Sequence, residues 1–228
     1  MKENSSNKQK ESEELQKLKA TAKENLIQEL IQMGYLKTPS IIEAFQKIDR
    51  IDFVPEEYKN EAYANYPLPI GAGQTISQPL TVAFMLELLE PKPGEKILDI
   101  GAGSGWQTSL LAHLVTERGK IIAIEIIPEL KKFAESNIAK YNFLKSERVK
   151  LILGNGTKGY EPEAPFDKII AAASASFIPS AWKEQLKIGG LIVAPVGQSI
   201  IVLKKLNQTE FLKEQYFGFS FVPLVNNS

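Results

Sequence analysis

With 228 residues, 43% of them hydrophobic and 24% charged, the chain has the composition of a globular protein that can bury one substantial core. Its 27 basic and 27 acidic residues cancel, so no global field favours nucleic acid or an anionic membrane. Cysteine is absent, which excludes disulfides, thiolate catalysis and cysteine-ligated metals. No apolar run approaches a membrane span, and MKENSSNKQKESEE lacks the apolar core of a signal peptide. A cytoplasmic protein is the expectation.

Residues 1–12 are polar and are expected to form a disordered tail. From Leu15, apolar residues recur at Leu18, Leu26, Ile27, Leu30 and Ile31, which predicts a helix stopped near Gly34. Thr38-Pro39 predicts a second helix, with Thr38 as N-cap and Ile41, Ile42, Phe45 and Ile48 facing inward. Residues 50–79, RIDFVPEEYKNEAYANYPLPIGAGQTISQP, are long and mostly without period. A loop of that length inside a compact domain is expected to line a ligand site. Pro79 opens a helix carrying Leu80, Ala83, Phe84, Leu88 and Leu89 to near Pro91, which leaves Ser77 at its N-terminus. The expected division is therefore a tail (1–12), N-terminal helices with a lining loop (13–90) and an α/β domain (91–228).

In the α/β part, strands are predicted at 96–100, 120–125, 148–153, 168–173 and 191–196. The intervening helices are placed at about 104–116, from Pro128 along the stripe Leu130, Phe133, Ala134, Ile138 and Tyr141, and from Pro179 to Leu186. Gly189-Gly190 reads as a turn, and the alternation over 199–206 and 210–221 as a terminal hairpin. This series predicts an α/β fold: a doubly wound, mostly parallel seven-stranded sheet, with an N-terminal helical appendage and a C-terminal antiparallel hairpin.

Chemistry is concentrated in KILDIGAGSGW, residues 96–106. A buried strand runs into Gly101, Gly103 and Gly105, and a helix follows, which is the corner that brings backbone close to a nucleotide. A dinucleotide fingerprint needs its third glycine one place later, where this chain has Trp106. The ligand is thus expected to be a nucleoside without a pyrophosphate. A second strand, KIIAIE, ends in Glu125, placed to accept hydrogen bonds from ribose hydroxyls. The lone histidine, His113, sits in LLAHLV and reads as a packing or surface residue rather than a base.

DIGAGSG and IAIE together look like the first two motifs of class I S-adenosylmethionine-dependent methyltransferases. RIDFVP, LPIGAGQTISQPLTVAFM, GNGTKGY, PFDKIIAAA, LIVAPVG and the terminal FVPLV, in this order, resemble the protein-L-isoaspartate O-methyltransferases over roughly residues 38–225. GQTISQP is the specific part of that likeness. It implies a Rossmann-like methyltransferase fold and methyl transfer from S-adenosyl-L-methionine to the α-carboxylate of L-isoaspartyl residues in damaged proteins. The alternatives are a related methyltransferase acting on another carboxylate, or a non-catalytic S-adenosylmethionine-binding protein.

The resemblance implies Ser77 as the catalytic residue, orienting the substrate carboxylate; by position alone Ser77 could equally be a helix cap. For the cofactor it implies Gln74, Thr75, Ile76, Ser77, Asp99, Gly101, Gly103, Gly105, Glu125, Ile126, Asn155 and Gly156. Asp99 could equally hold the loop. Asn155 stands where the family usually has aspartate and can accept only through its amide oxygen. Ala171, Ala172 and Ala173 are implied to let the substrate backbone approach, with strand packing as the alternative. No metal is expected. The implied partners are isoaspartyl proteins and peptides, with no nucleic acid and no membrane, and the chain is expected to act as a monomer.

Overall fold

A computed structural model describes the backbone of residues 2–224 and the side chains of 17–224. Helix α1 (Lys2–Gln32) leads to α2 (Pro39–Lys47). The tail expected at 1–12 falls on side chains outside the described residues, and its backbone from Lys2 continues α1. Thr38 is the N-cap of α2, but its hydroxyl donates to Glu87 Oε2 (2.7 Å), and the Lys37 and Thr38 amides donate to Glu87 Oε1. One carboxylate thus ties the start of α2 to helix α3 (Pro79–Leu89).

Residues 50–79 are more ordered than expected. Short 3₁₀ turns at Arg50–Phe53 and Glu56–Glu61 precede a hairpin of β1 (Leu68–Gly71) and β2 (Gln74–Ile76). Strands of four and three residues are too short to show a period, and Pro69 reads as a breaker. The hairpin turn places both Ala72 (φ 49°) and Gly73 (φ 68°) in the left-handed region, the backbone that tight two-residue hairpin turns demand.

The main sheet contains β3 (Lys96–Ile100), β4 (Lys120–Glu125), β5 (Val149–Leu153), β6 (Phe166–Ala171), β7 (Leu186–Val196), β8 (Ser199–Lys205) and β9 (Phe211–Phe217). Its order is β5-β4-β3-β6-β7-β8-β9; the first five strands run parallel, and β8 and β9 are antiparallel. Helices α4 (Trp106–Leu114), α5 (Pro128–Ala139) and α6 (Ser180–Glu184) connect the parallel strands. Alternation along the strands separates two cores. Ile97, Ile121, Ala123, Ile170 and Val193 face the layer of α1 to α5, while Leu98, Ile100, Ile122, Ile169 and Ile192 face Trp182 of α6. No helix among the described residues is long and apolar enough to cross a membrane.

Three strands depart from expectation by two residues or more at an end. β6 starts at Phe166 and ends at Ala171, so Ala172 and Ala173 leave the sheet. β7 starts at Leu186, and Gly189-Gly190 forms a bulge inside it rather than a turn, with register passing from Phe166↔Leu186 to Lys168↔Leu191. A Cβ on Gly190 would lie 2.6 Å from the Asp167 carbonyl; close backbone approach, not turning, requires glycine there. β9 ends at Phe217, four residues early, because Gly218 (φ 93°) redirects the chain. Residues 220–224 then run beside Ser174, held by Ser174 N to Val222 O and Leu224 N to Ser174 O, both 2.8 Å.

β3 is the switch point of this sheet: the chain leaves it outward through β4 and β5 and returns on its other side as β6. Ligands of open α/β sheets bind outside the carboxyl ends of the strands at such a point.

Candidate active site

Three contiguous cavities open at the carboxyl ends of β3, β4 and β6, and Thr75 and Ala172 line all three. The first lies between Gly101, Gly103, Glu125 and Gly156 on one side and Gln74 and Thr75 on the other, with Ile126, Ile127 and Leu130 as its apolar edge. The second is bounded by Pro67, Ser77, Gln78, Thr81 and residues 220–223. A third joins them past Ile76, Ser77, Gly101, Gly103 and Trp106.

Glu125 is buried and, among the described residues, is the only charged one lining any of the three. Its Oε2 accepts from Gly103 N (2.8 Å), and its Oε1 from Ile126 N and Ile127 N (2.9 Å each). The carboxylate therefore holds the glycine turn against the end of β4. Three of its roughly four acceptor positions are used, which leaves one for a hydroxyl. With no lysine or arginine among the described residues of its lining, the first cavity suits a neutral or cationic nucleoside and not a polyphosphate. An S-adenosylmethionine, which carries a cationic sulfonium and no phosphate, fits this donor set.

Asp99 does not line the cavities. It is fully buried under the turn, where it accepts from Gln107 Nε2 (2.8 Å) and Thr108 Oγ1 (2.6 Å) and so ties β3 to α4. Burial pushes its carboxyl up to about 6, against the pull of the bonds from Thr108 and Gln107 and with a further push from the charge of Glu125. Gly105 does not line them either: at φ 86° it caps α4, and a Cβ there would meet Ile138 at 2.8 Å. Asn155 lies between two lining glycines, Gly154 and Gly156, but its Oδ1 already accepts from Thr157 N (2.9 Å) and Thr157 Oγ1 (2.7 Å). Its amide oxygen is thus engaged within the protein, and its NH₂ is the group left to offer a ligand. Ala172 and Ala173 line the site, whereas Ala171 is core. His113, on α4, lies outside all three cavities and is 3.8 Å from Glu43.

Ser77 lines the second and third cavities. It is not a helix cap. Gln78 holds the N-cap position of α3, and the free amide of Leu80 is satisfied by Asn65 Oδ1 (3.1 Å). The cap alternative therefore fails on geometry, and the serine hydroxyl makes no hydrogen bond among the described residues.

Sequence reasoning had not singled out the ribbon Val222-Pro223-Leu224, which lines the first cavity and in part the second. Its signal was the FVPLV likeness, whose place in space no local pattern indicates. It also passed over Arg50, inside RIDFVP.

The sequence profile of "Protein-L-isoaspartate(D-aspartate) O-methyltransferase (PCMT)" matches residues 21–228. The chain belongs to this family. A protein-L-isoaspartate O-methyltransferase of Methanopyrus kandleri is 44% identical over 208 residues, 90% of this chain and 91% of that one. One from Ignicoccus hospitalis is 42% identical over 207 residues, 89% and 97% of the two chains. Among solved structures, a Plasmodium falciparum protein described as a protein-L-isoaspartate O-methyltransferase, in complex with S-adenosyl-L-homocysteine, superposes with a TM-score of 0.80 at 27% identity, over 89% of this chain and 98% of that one. The doubly wound sheet with its terminal hairpin is thus the Rossmann-like fold of the isoaspartyl methyltransferases.

Proposed function

We infer that the chain transfers a methyl group from S-adenosyl-L-methionine to the α-carboxylate of L-isoaspartyl residues in damaged proteins and peptides, the step that initiates their repair. The observation that carries this reading is the meeting of two cavities of different chemistry at Thr75 and Ala172. One has a single carboxylate and backbone amides; the other has only uncharged polar and apolar groups.

In this reading Gly101, Gly103, Glu125, Ile126, Gly156, Gln74 and Thr75 hold the cofactor. Glu125 takes a ribose hydroxyl on its remaining acceptor position. Asp99 and Gly105 act from beneath, by fixing the start of α4, and Asn155 by capping the 3₁₀ turn Gly156–Lys158. When bound, S-adenosylmethionine supplies a methyl group already activated on a sulfonium. The acceptor carboxylate, with an ordinary pKa near about 4, is ionised at pH 7, so no general base is required and the absence of histidine from the cavities is no obstacle. Ser77 donates a hydrogen bond from its hydroxyl to one carboxylate oxygen and turns the other toward the methyl. Ala172, without bulk, lets the substrate backbone come close. The residues thus contribute alignment and exclusion of water.

The deciding assay is methyl transfer to paired isoaspartyl and aspartyl peptides. Transfer confined to the isoaspartyl peptide is expected; transfer to other carboxylates, or none, would replace this reading with one of its alternatives. Ser77→Ala is expected to lower kcat about ten- to a hundredfold, the equivalent of one hydrogen bond to a charged group, 1.5–3 kcal/mol. Because Ser77 caps nothing, the thermal midpoint should not move, and full activity in the variant would end the assignment. The same reading takes the enzyme as a cytoplasmic monomer that needs neither nucleic acid nor membrane.

A further inference from the structure

Arg50 is 2% exposed, and no carboxylate pairs with it among the described residues. A buried cation without an anion is expensive unless its protons are taken up elsewhere. Here its donors are spent on backbone. Nη1 donates to Ala62 O (2.6 Å), and Nη2 donates to Tyr66 O and Ser77 O (3.1 Å each). The guanidinium carbon lies 5.4 Å from the centroid of the Trp106 ring, a cation–π distance. Nε has no acceptor. Burial pulls the guanidinium down to about 9, which leaves it charged at neutral pH.

The groups it gathers come from three stretches of the chain, the carbonyls of residues 62–66, the Ser77 carbonyl and the Trp106 ring, and two of these residues, Ser77 and Trp106, line the cavity that joins the cofactor and substrate sides. Trp106 is the first residue of α4, directly after the glycine turn. One planar group therefore sets the separation between the segment that carries the candidate acceptor-orienting serine and the segment that carries the glycine turn. A planar fork can hold several carbonyls in one plane while its face rests on an aromatic ring; an ammonium cannot do both.

We propose that Arg50 is a positioning residue for methyl transfer, acting through Ser77 by fixing that serine's backbone against the Trp106 end of the glycine turn. This rests on the reading of Ser77 as the residue that orients the substrate carboxylate. Misplacing reacting groups by about 1 Å can cost a hundredfold in rate, so the effect belongs in kcat. Cofactor contacts lie on the far side of the turn and should be spared.

The test is Arg50→Lys, alone and combined with Ser77→Ala, with rates expressed per molecule able to bind S-adenosylhomocysteine. Arg50→Lys is expected to lower kcat roughly ten- to a hundredfold, with S-adenosylhomocysteine affinity within about twofold of wild type. In the Ser77→Ala background it should cost little more, because the group it positions is gone. Normal kcat with only a lowered thermal midpoint would reduce Arg50 to a fold-stabilising residue and overturn the proposal. Additive losses in the double variant would also overturn it. Should Arg50→Lys not fold, Trp106→Phe keeps the ring contact but weakens the cation–π platform; the expected result is a smaller kcat loss of the same non-additive kind, and an unchanged kcat would count against the proposal. Ser77→Ala alone reports separately on the serine: full activity there defeats the reading on which the proposal rests, whatever Arg50 does.

Discussion

On one side of Thr75 the site is walled by the ends of β3 and β4, and its polar groups are backbone amides organised by one buried carboxylate, Glu125. On the other side the walls are Pro67 before the hairpin, Ser77 and Gln78 before a helix and a ribbon from residues 220–223, none of them part of the main sheet. The glycine turn and Glu125 on the first side belong to one contiguous supersecondary unit, with its geometry set by parallel strands in register, while Gln74, Thr75 and residues 222–224 close that cavity from outside the unit. The second is assembled from segments that meet only through tertiary ties: Arg50 to Ser77, Asn65 to α3, and Val222 and Leu224 to Ser174. On the proposed reading, the unit that recurs as a motif supplies binding, while the pieced-together unit supplies selection of what is methylated.

The strongest way to break this comparison is at Glu125. Glu125→Ala removes the acceptor of three amides and one offered to the ribose, so the affinity for S-adenosylhomocysteine should fall roughly ten- to a hundredfold, from the loss of about 1.5–3 kcal/mol. The thermal midpoint should fall as well, because Gly103, Ile126 and Ile127 lose their partner. Unchanged affinity in a calorimetric titration would remove Glu125 from the cofactor side.

Asp99 tests whether the first side stores a cost in its foundation. An acid whose pKa rises on folding, here from 3.8 to about 6, binds its proton more readily in the folded chain. Its contribution to stability is therefore best at low pH and is lost as pH rises from about 4 to about 6, with no further change above. At pH 7 the cost is on the order of 3 kcal/mol. Asp99→Asn can still accept from Gln107 and can donate to Thr108. Denaturant unfolding at pH 4.5, 6 and 7.5 should show the variant at least as stable as wild type at the highest pH and with a weaker slope over that window; an unaltered slope would mean that Asp99 does not titrate there.

The smallest effect is expected at Asn65, on the second side. Asn65→Ala strips the Leu80 amide of its acceptor and should cost about 1 kcal/mol, or roughly 2–4 °C in thermal midpoint for a chain of this size. Turnover should stay near wild type. A large loss of kcat would show that the N-terminus of α3 also sets the acceptor geometry.

The same contrast explains what the sequence revealed. The parallel strands are short apolar runs between helices with proline or glycine punctuation, so β3, β4 and β5 could be placed to within a residue, and Gly101, Gly103 and Glu125 with them. The hairpin at 68–76 had no such signal, because three or four residues do not display a period. Ser77 was visible only through the likeness of GQTISQP, and position alone left it indistinguishable from a cap until Gln78 was seen to hold that place. Arg50 was invisible for a different reason: a charged residue in a loop reads as solvated, and only the packed chain reveals it as enclosed. The double glycine at 189–190 misled in the opposite direction, since glycine signals tight turning and close backbone approach alike.

The ribbon at 220–224 has a consequence for how this site comes into being. A polypeptide emerges from the ribosome N-terminus first and its elements fold in that order. The hairpin, the glycine turn and the carboxylate of Glu125 are all synthesised well before Val222 and Pro223, which border both cavities. A nascent chain can thus hold the whole parallel sheet while its cleft still lacks a wall, and the site is finished only when residues 220–224, made after that sheet, reach Ser174.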